Sequence, residues 1–220
     1  MEIRKAQKSK SKLRIGIAGT SGSGKTYSAL LLASGLASWD KVCIIDTENG
    51  SADLYDSLGA YNVITLRAPF SPERYIEAIK AAEQAGMEVV IVDSITHEWD
   101  GEGGCLDTLD KLGGKFQDWS KVTPRHHRFI QAILQSSVHI ITTVRKKQDY
   151  AMIQDPNGRV KVEKKGLKEI TREGFEYELT VAFDLAQNHL ATTSKDRTSL
   201  FMDKPEFLIT AEVGKTLKSL

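Results

Sequence analysis

An α/β fold, with a mostly parallel central sheet between two helical layers, is what this 220-residue sequence predicts. Three observations predict it. Apolar runs at 13–18, 41–46, 89–93 and 138–144 are each of strand length and suit strands buried on both faces. Helix patterns separate them, so strands and helices alternate as they do around a parallel sheet. Between the first strand and the first helix lies Gly19-Thr20-Ser21-Gly22-Ser23-Gly24-Lys25-Thr26, which spells G-x-x-x-x-G-K-T.

Taken in order, Leu13 to Ala18 alternates and is apolar, the first strand. Tyr27 to Ala37 carries good helix formers and no proline, the first helix. Lys41 to Asp46 is a second strand, and 52–58 a short helix. Tyr61 to Leu66 alternates, as an edge strand does. Ser71-Pro72 opens a helix, with Ser71 as N-cap and Pro72 in the first turn, and Gly86 ends it. Val89 to Asp93 is the most apolar strand. An irregular glycine-rich stretch covers 99–114. Thr123-Pro124 opens a helix to about Ser136, and Val138 to Val144 is the next strand. Asp155-Pro156-Asn157-Gly158 is a tight-turn signal between 150–153 and 160–162, hence a projecting hairpin. Later strands fall at 177–185 and 189–193. No repeat or linker interrupts the chain. It reads as a basic tail, 1–12, followed by one domain, 13–220.

Composition narrows the class. Hydrophobic residues make up 40% and charged residues 27%, enough for a sizeable core. No apolar run approaches the roughly 20 residues of a membrane span, and residues 1–10 lack the apolar stretch of a signal peptide. The two cysteines, Cys43 and Cys105, have no zinc-type spacing with histidine. The expectation is a reduced, cytoplasmic protein without a structural metal. Adjacent His126 and His127 on a helix point about 100° apart and make poor joint ligands. Net charge is only +1, but it is unevenly spread. Residues 1–14 and 145–172 each carry a net +5, which suggests a localised polyanion site.

The G-x-x-x-x-G-K-T run carries the chemistry. Its glycines let successive N–H groups turn inward towards phosphate, and the helix that follows adds its N-terminal dipole. Gly19 to Tyr27 therefore form the nucleotide-binding loop, a P-loop. Lys25 reaches the β- and γ-phosphates, and the Thr26 hydroxyl ligates Mg²⁺. Asp93 ends an apolar strand as a Walker B aspartate does, holding water on that Mg²⁺. Hydrolysis needs a carboxylate that orients and deprotonates water. Glu48, at the tip of the second strand, is the candidate, and Glu98 is its competitor.

Ile45-Asp46-Thr47-Glu48 after a P-loop, followed by Val92-Asp93-Ser94, resembles the core of RecA-type recombinases over roughly residues 13–200. The resemblance implies a three-layer P-loop NTPase that hydrolyses ATP with Mg²⁺. It makes Glu48 the catalytic base. The polar sensor after Walker B is unassigned, because Thr142-Thr143-Val144-Arg145 lacks the family's Asn or Gln; Thr143 and Arg145 are the substitutes. Ser194-Lys195-Asp196-Arg197 resembles the Lys-x-Arg element that such ATPases insert into a neighbouring subunit's site. This implies catalytic cations Lys195 and Arg197 and a homo-oligomer with shared ATP sites. Lys121 to Pro124, Arg145 to Lys147, Lys165 to Leu167, Arg172 to Glu178 and Ser194 to Arg197 further resemble short phage-encoded RecA-like ATPases. Some members of that group anneal single strands in recombination. The expected partner is thus single-stranded DNA, met by the 101–114 loop and the basic 145–168 hairpin, with Tyr150 or Trp99 stacking on bases. The alternative is a nucleotide-dependent switch or assembly ATPase that acts on a protein.

Overall fold

The computed structural model describes residue 5 and residues 11–154 and 160–220. Most of the basic tail and the 155–158 turn lie outside the described residues. The strands are β1 (Arg14–Gly19), β2 (Val42–Asp46), β3 (Asn62–Thr65), β4 (Val89–Asp93), β5 (His139–Gln154), β6 (Val160–Glu169), β7 (Val181–Leu185) and β8 (Ala191–Asp196). The helices are α1 (Lys25–Leu36), α2 (Pro72–Gln84), α3 (Thr96–Asp100), α4 (Cys105–Lys111), α5 (Trp119–Gln135) and α6 (Ala211–Lys218). One sheet runs β3-β2-β4-β5-β1-β7-β8, with β6 paired to β5 alone. Contacts from β3 through β7 are parallel; β5–β6 and β7–β8 are antiparallel. The expected three-layer α/β fold is therefore present.

Alternation along the central strands separates the two cores. Val42 and Ile44, Val89 and Ile91, and Ile15 and Ile17 pack towards α1 and the C-terminal segment. Cys43 and Ile45, and Val90 and Val92, face the opposite way and pack with Tyr75, Ile79, Phe129 and Ile133 of α2 and α5. With both faces covered, these strands read as continuous apolar runs. At the edge, the β3 residues are exposed or half-buried, which explains their alternating pattern. On the α1 side, α6 crosses α1 at a pair of glycines. A Cβ on Gly35 would lie 2.0 Å from the Ala211 carbonyl oxygen.

Several boundaries differ from expectation. The 99–114 stretch is not irregular throughout: it holds the end of α3 and all of α4, with turns between and after them. Helix α5 begins at Trp119, one turn before Thr123, and Pro124 lies inside it. A 3₁₀ turn at Phe116–Asp118 starts it, where the Asp118 carboxylate accepts the Lys115 N–H at 3.1 Å. Ser71 precedes α2 but makes no side-chain cap. The 177–185 strand is a 3₁₀ turn (Phe175–Glu178) followed by β7. Strand β5 does not stop at Val144 but runs on to pair with β6. Arg14, counted in the basic 1–14 segment, is buried. Its guanidinium donates to the carbonyls of Leu134, Ser136 and Val138 at 2.6–3.0 Å. It satisfies the end of α5 and is not available to a polyanion.

Candidate active site

Strand β1 ends at Gly19 and α1 begins at Lys25, so the loop between them curls over the C-terminal edge of the sheet. Gly22 and Gly24 take φ of 78° and 88°, a left-handed backbone that glycine adopts without strain. The turn between β7 and β8 braces this loop. The Thr20 hydroxyl donates to Gln187 at 2.8 Å, and His189 Nδ1 lies 3.0 Å from the Ser23 carbonyl. No sequence signal marked Gln187 or His189.

A cavity of about 720 Å³ opens on the loop, lined among others by Gly24, Lys25, Thr26, Tyr27, Glu48 and Asp93. Its volume is that of a nucleotide-sized pocket. At the mouth, Tyr27 and Tyr55 have ring centroids 5.9 Å apart, an aromatic wall that sequence reading found only in part. Lys25 Nζ donates to the Thr20 carbonyl at 2.8 Å. Burial pushes the ammonium down, opposed by the charges of Asp93 and Glu48.

Thr26 and Asp93, the two residues expected at Mg²⁺, touch each other directly: the hydroxyl donates to Asp93 Oδ2 at 2.6 Å. The other oxygen, Oδ1, accepts the Thr143 hydroxyl. Asp93 is buried, and burial raises its pKa against the pull of these two hydroxyls. A hydroxyl beside a carboxylate is an all-oxygen set that fits Mg²⁺.

Glu48 is aimed by its neighbours. Asp46, buried at the end of β2, accepts the Glu48 N–H at 2.6 Å and the Ala52 N–H at 3.1 Å, which fixes the turn. Arg145 then grips the Glu48 carboxylate with two nitrogens, Nε at 2.8 Å and the other in a still closer contact, while the Ser94 hydroxyl lies 3.3 Å away. Burial pushes the Glu48 carboxyl up, but Arg145, His97 and Ser94 outweigh it and hold it below the usual carboxylate range. Glu48 is therefore an anion. The Arg145–Glu48 pair was not recognised from sequence, because 97 positions separate its members.

Glu98, the competing base, is absent from the residues lining this cavity. It is fully buried, with both oxygens 3.1 Å from His126 Nδ1. Thr143 and Arg145, the two candidates for the sensor, take separate partners: Thr143 binds Asp93, and Arg145 binds Glu48 and lines the cavity. Lys195 and Arg197 lie at the far end of the sheet. Gly19 pairs with Leu185, whereas Val181, four residues earlier on β7, pairs with Asp196. Both cations share the Tyr177 carbonyl, so they do present one face, but to their own chain.

A domain with a P-loop strand at the sheet centre, a hydroxyl–carboxylate pair beneath it and a carboxylate across from it is that of a P-loop ATPase. The family of AAA domains matches residues 11–206, and the chain belongs to it. No curated protein matches the chain. Among the described residues no helix is long and apolar enough to cross a membrane.

Proposed function

We propose that this protein hydrolyses ATP with Mg²⁺ and that, as a RecA-like oligomer of the short phage type, it couples hydrolysis to binding single-stranded DNA. One observation carries the nucleotide chemistry: Thr26, on Asp93 at 2.6 Å, shares a cavity with Lys25 and with an ionised Glu48. Loop amides and Lys25 hold the phosphates, and Thr26 with Asp93 holds Mg²⁺, which offsets the phosphate charge. Glu48 accepts the proton of the attacking water. Arg145 keeps Glu48 ionised and aimed, which supports Arg145 rather than Thr143 as the residue in the sensor place.

The DNA reading rests on a second cavity, of about 760 Å³, between the segments expected to face DNA. Trp99, Phe116 and Trp119 supply aromatic surface, and Lys147, Lys168 and Arg172 supply positive charge, against the acidic Asp100, Asp149, Glu169 and Glu173, the last paired with Lys168. Phe116 is 92% exposed. Trp99 is stacked on Trp119, so Phe116 and Tyr150 are the freer platforms for bases. Lysine and arginine contacts to phosphate, with aromatic stacking, are how single strands are held without sequence preference. One observation favours the other reading, a switch acting on a protein: Tyr150, Met152 and Val162 on β5–β6 are exposed, as at a protein-docking surface.

The test is ATP turnover together with binding of a labelled oligonucleotide. Lys25→Ala should abolish turnover; unchanged turnover refutes the assignment. Oligonucleotide affinity should fall steeply with salt and respond to ATP. Absence of binding at low salt would favour the protein partner.

A further inference from the structure

Away from the phosphate cavity, three side chains of different chemistry converge in the interior. Glu98 comes from α3, Cys105 is the first residue of α4 and His126 lies on α5. They are 0%, 1% and 3% exposed. One donor atom from each lies within 4.8 Å of the other two. Cys105 Sγ is 3.2 Å from Glu98 Oε1, and His126 Nδ1 is 3.1 Å from both Glu98 oxygens. Taking a carboxylate wholly out of water is costly unless something compensates it; His126 and the Cys105 thiol are the groups placed to do so here, and ATP hydrolysis as read above gives Glu98 no role.

We propose that Glu98, Cys105 and His126 bind one zinc-class divalent ion. The donor set selects the metal. A thiolate with an imidazole and a carboxylate suits zinc or a chemically similar ion, whereas Mg²⁺ and Ca²⁺ prefer oxygen alone. Charge agrees, since thiolate and carboxylate together neutralise a dication in a buried place. The spacing is close to what the ion needs: tetrahedral zinc at ordinary bond lengths separates such donors by about 3.4–3.6 Å, a few tenths of an ångström wider than the two hydrogen-bond distances to Glu98, and the third pair lies within 4.8 Å. The fourth position is left to water, and a small cavity of about 130 Å³ touches one of the three ligands, His126. Ligand spacings of 7 and 21 residues match no common zinc pattern, so the sequence alone did not reveal the site.

Bound there, the ion would tie together the segment that follows Walker B. Helix α3 starts three residues after Asp93. Its Thr96 hydroxyl accepts the Arg145 N–H at 2.9 Å, and His97 Nδ1 is 2.8 Å from the Thr47 hydroxyl. The ion therefore sits behind the residues that aim Glu48 without touching substrate.

The experiment uses the full chain, stripped with chelator and titrated with Co²⁺, then Zn²⁺, in excess Mg²⁺ and without nucleotide. One equivalent of Co²⁺ should bind, with an intense thiolate-to-cobalt absorption and tetrahedral visible bands that Zn²⁺ erases. Tryptophan emission should change with it, because the Trp99 ring lies 5.4 Å from that of His126. Cys105→Ser should lose the thiolate band. No stoichiometric uptake, a weak octahedral spectrum, or a thiolate band that survives in Cys105→Ser would each overturn the proposal. If that variant does not fold, the cobalt spectrum of the unaltered protein decides alone. Lys25→Ala should bind Co²⁺ as the parent does, so the site can fail or stand independently of the ATP reading.

Discussion

At the residue scale, Arg145 and Glu48 act as one unit. Because Arg145 outweighs the burial that would raise the Glu48 pKa, Arg145→Gln should move the acid limb of the pH–turnover profile to higher pH. An unmoved limb in that variant would mean that Glu48 is not the titrating base. Glu48→Gln should keep nucleotide affinity and lose turnover by at least about 10²-fold, the usual share of a general base. A separate titration concerns stability. His139 Nδ1 accepts the Leu13 N–H at 3.1 Å, and burial lowers its pKa from 6.5 to about 4. The folded form thus favours neutral imidazole. Its contribution is complete above pH 6.5 and is lost as pH falls from 6.5 through about 4. Urea midpoints across that range should fall for the parent and flatten for His139→Gln. What sequence showed at this scale was the P-loop, Asp93 and Glu48, each marked by its place at a strand tip. What it hid were pairings between residues far apart along the chain: Arg145 with Glu48, and Arg14 with the end of α5.

At the element scale, periodicity located the buried strands and the long helices, because burial on both faces leaves continuous apolar runs. It failed where local chemistry competed with packing. Gly101, Gly103 and Gly104 made 99–114 look irregular, yet Cys105 and Leu109 anchor α4 against Val122. Pro124 looked like a helix start, but its lost N–H is tolerated in the second turn of α5. The α1–α6 crossing gives a sharp test. Alanine is a better helix former than glycine by about 0.8–1.0 kcal/mol, so propensity alone predicts that Gly35→Ala stabilises. A Cβ there would collide with backbone at 2.0 Å, and overpacking costs about 1–3 kcal/mol. The collision should win and lower the melting temperature. A rise would show that the two helices do not touch at this point.

At the scale of the whole molecule, β8 runs from beside the P-loop to the opposite end of the sheet, where Lys195 and Arg197 sit. They are thus remote from their own ATP site, a placement compatible with service to a neighbouring subunit. In an assembly with shared sites, Arg197→Ala should lower turnover, and mixing it with Lys25→Ala subunits should restore activity. Mixed assemblies no more active than the separate variants would argue against shared sites. Strand β5 joins the remaining parts. Thr143 holds Asp93, Arg145 holds Glu48, Lys146 holds Asp184 at 2.6 Å, and Lys147 lines the aromatic cavity. Those contacts follow one another along a single extended backbone, and the bulge in its pairing with β6 comes only after Asp149. An extended chain has almost no slack, because each peptide already spans about 3.3 Å. Between Lys147 and the guanidinium on Glu48 the backbone thus holds no bulge that could take up a displacement along the strand axis, as a taut cord holds none.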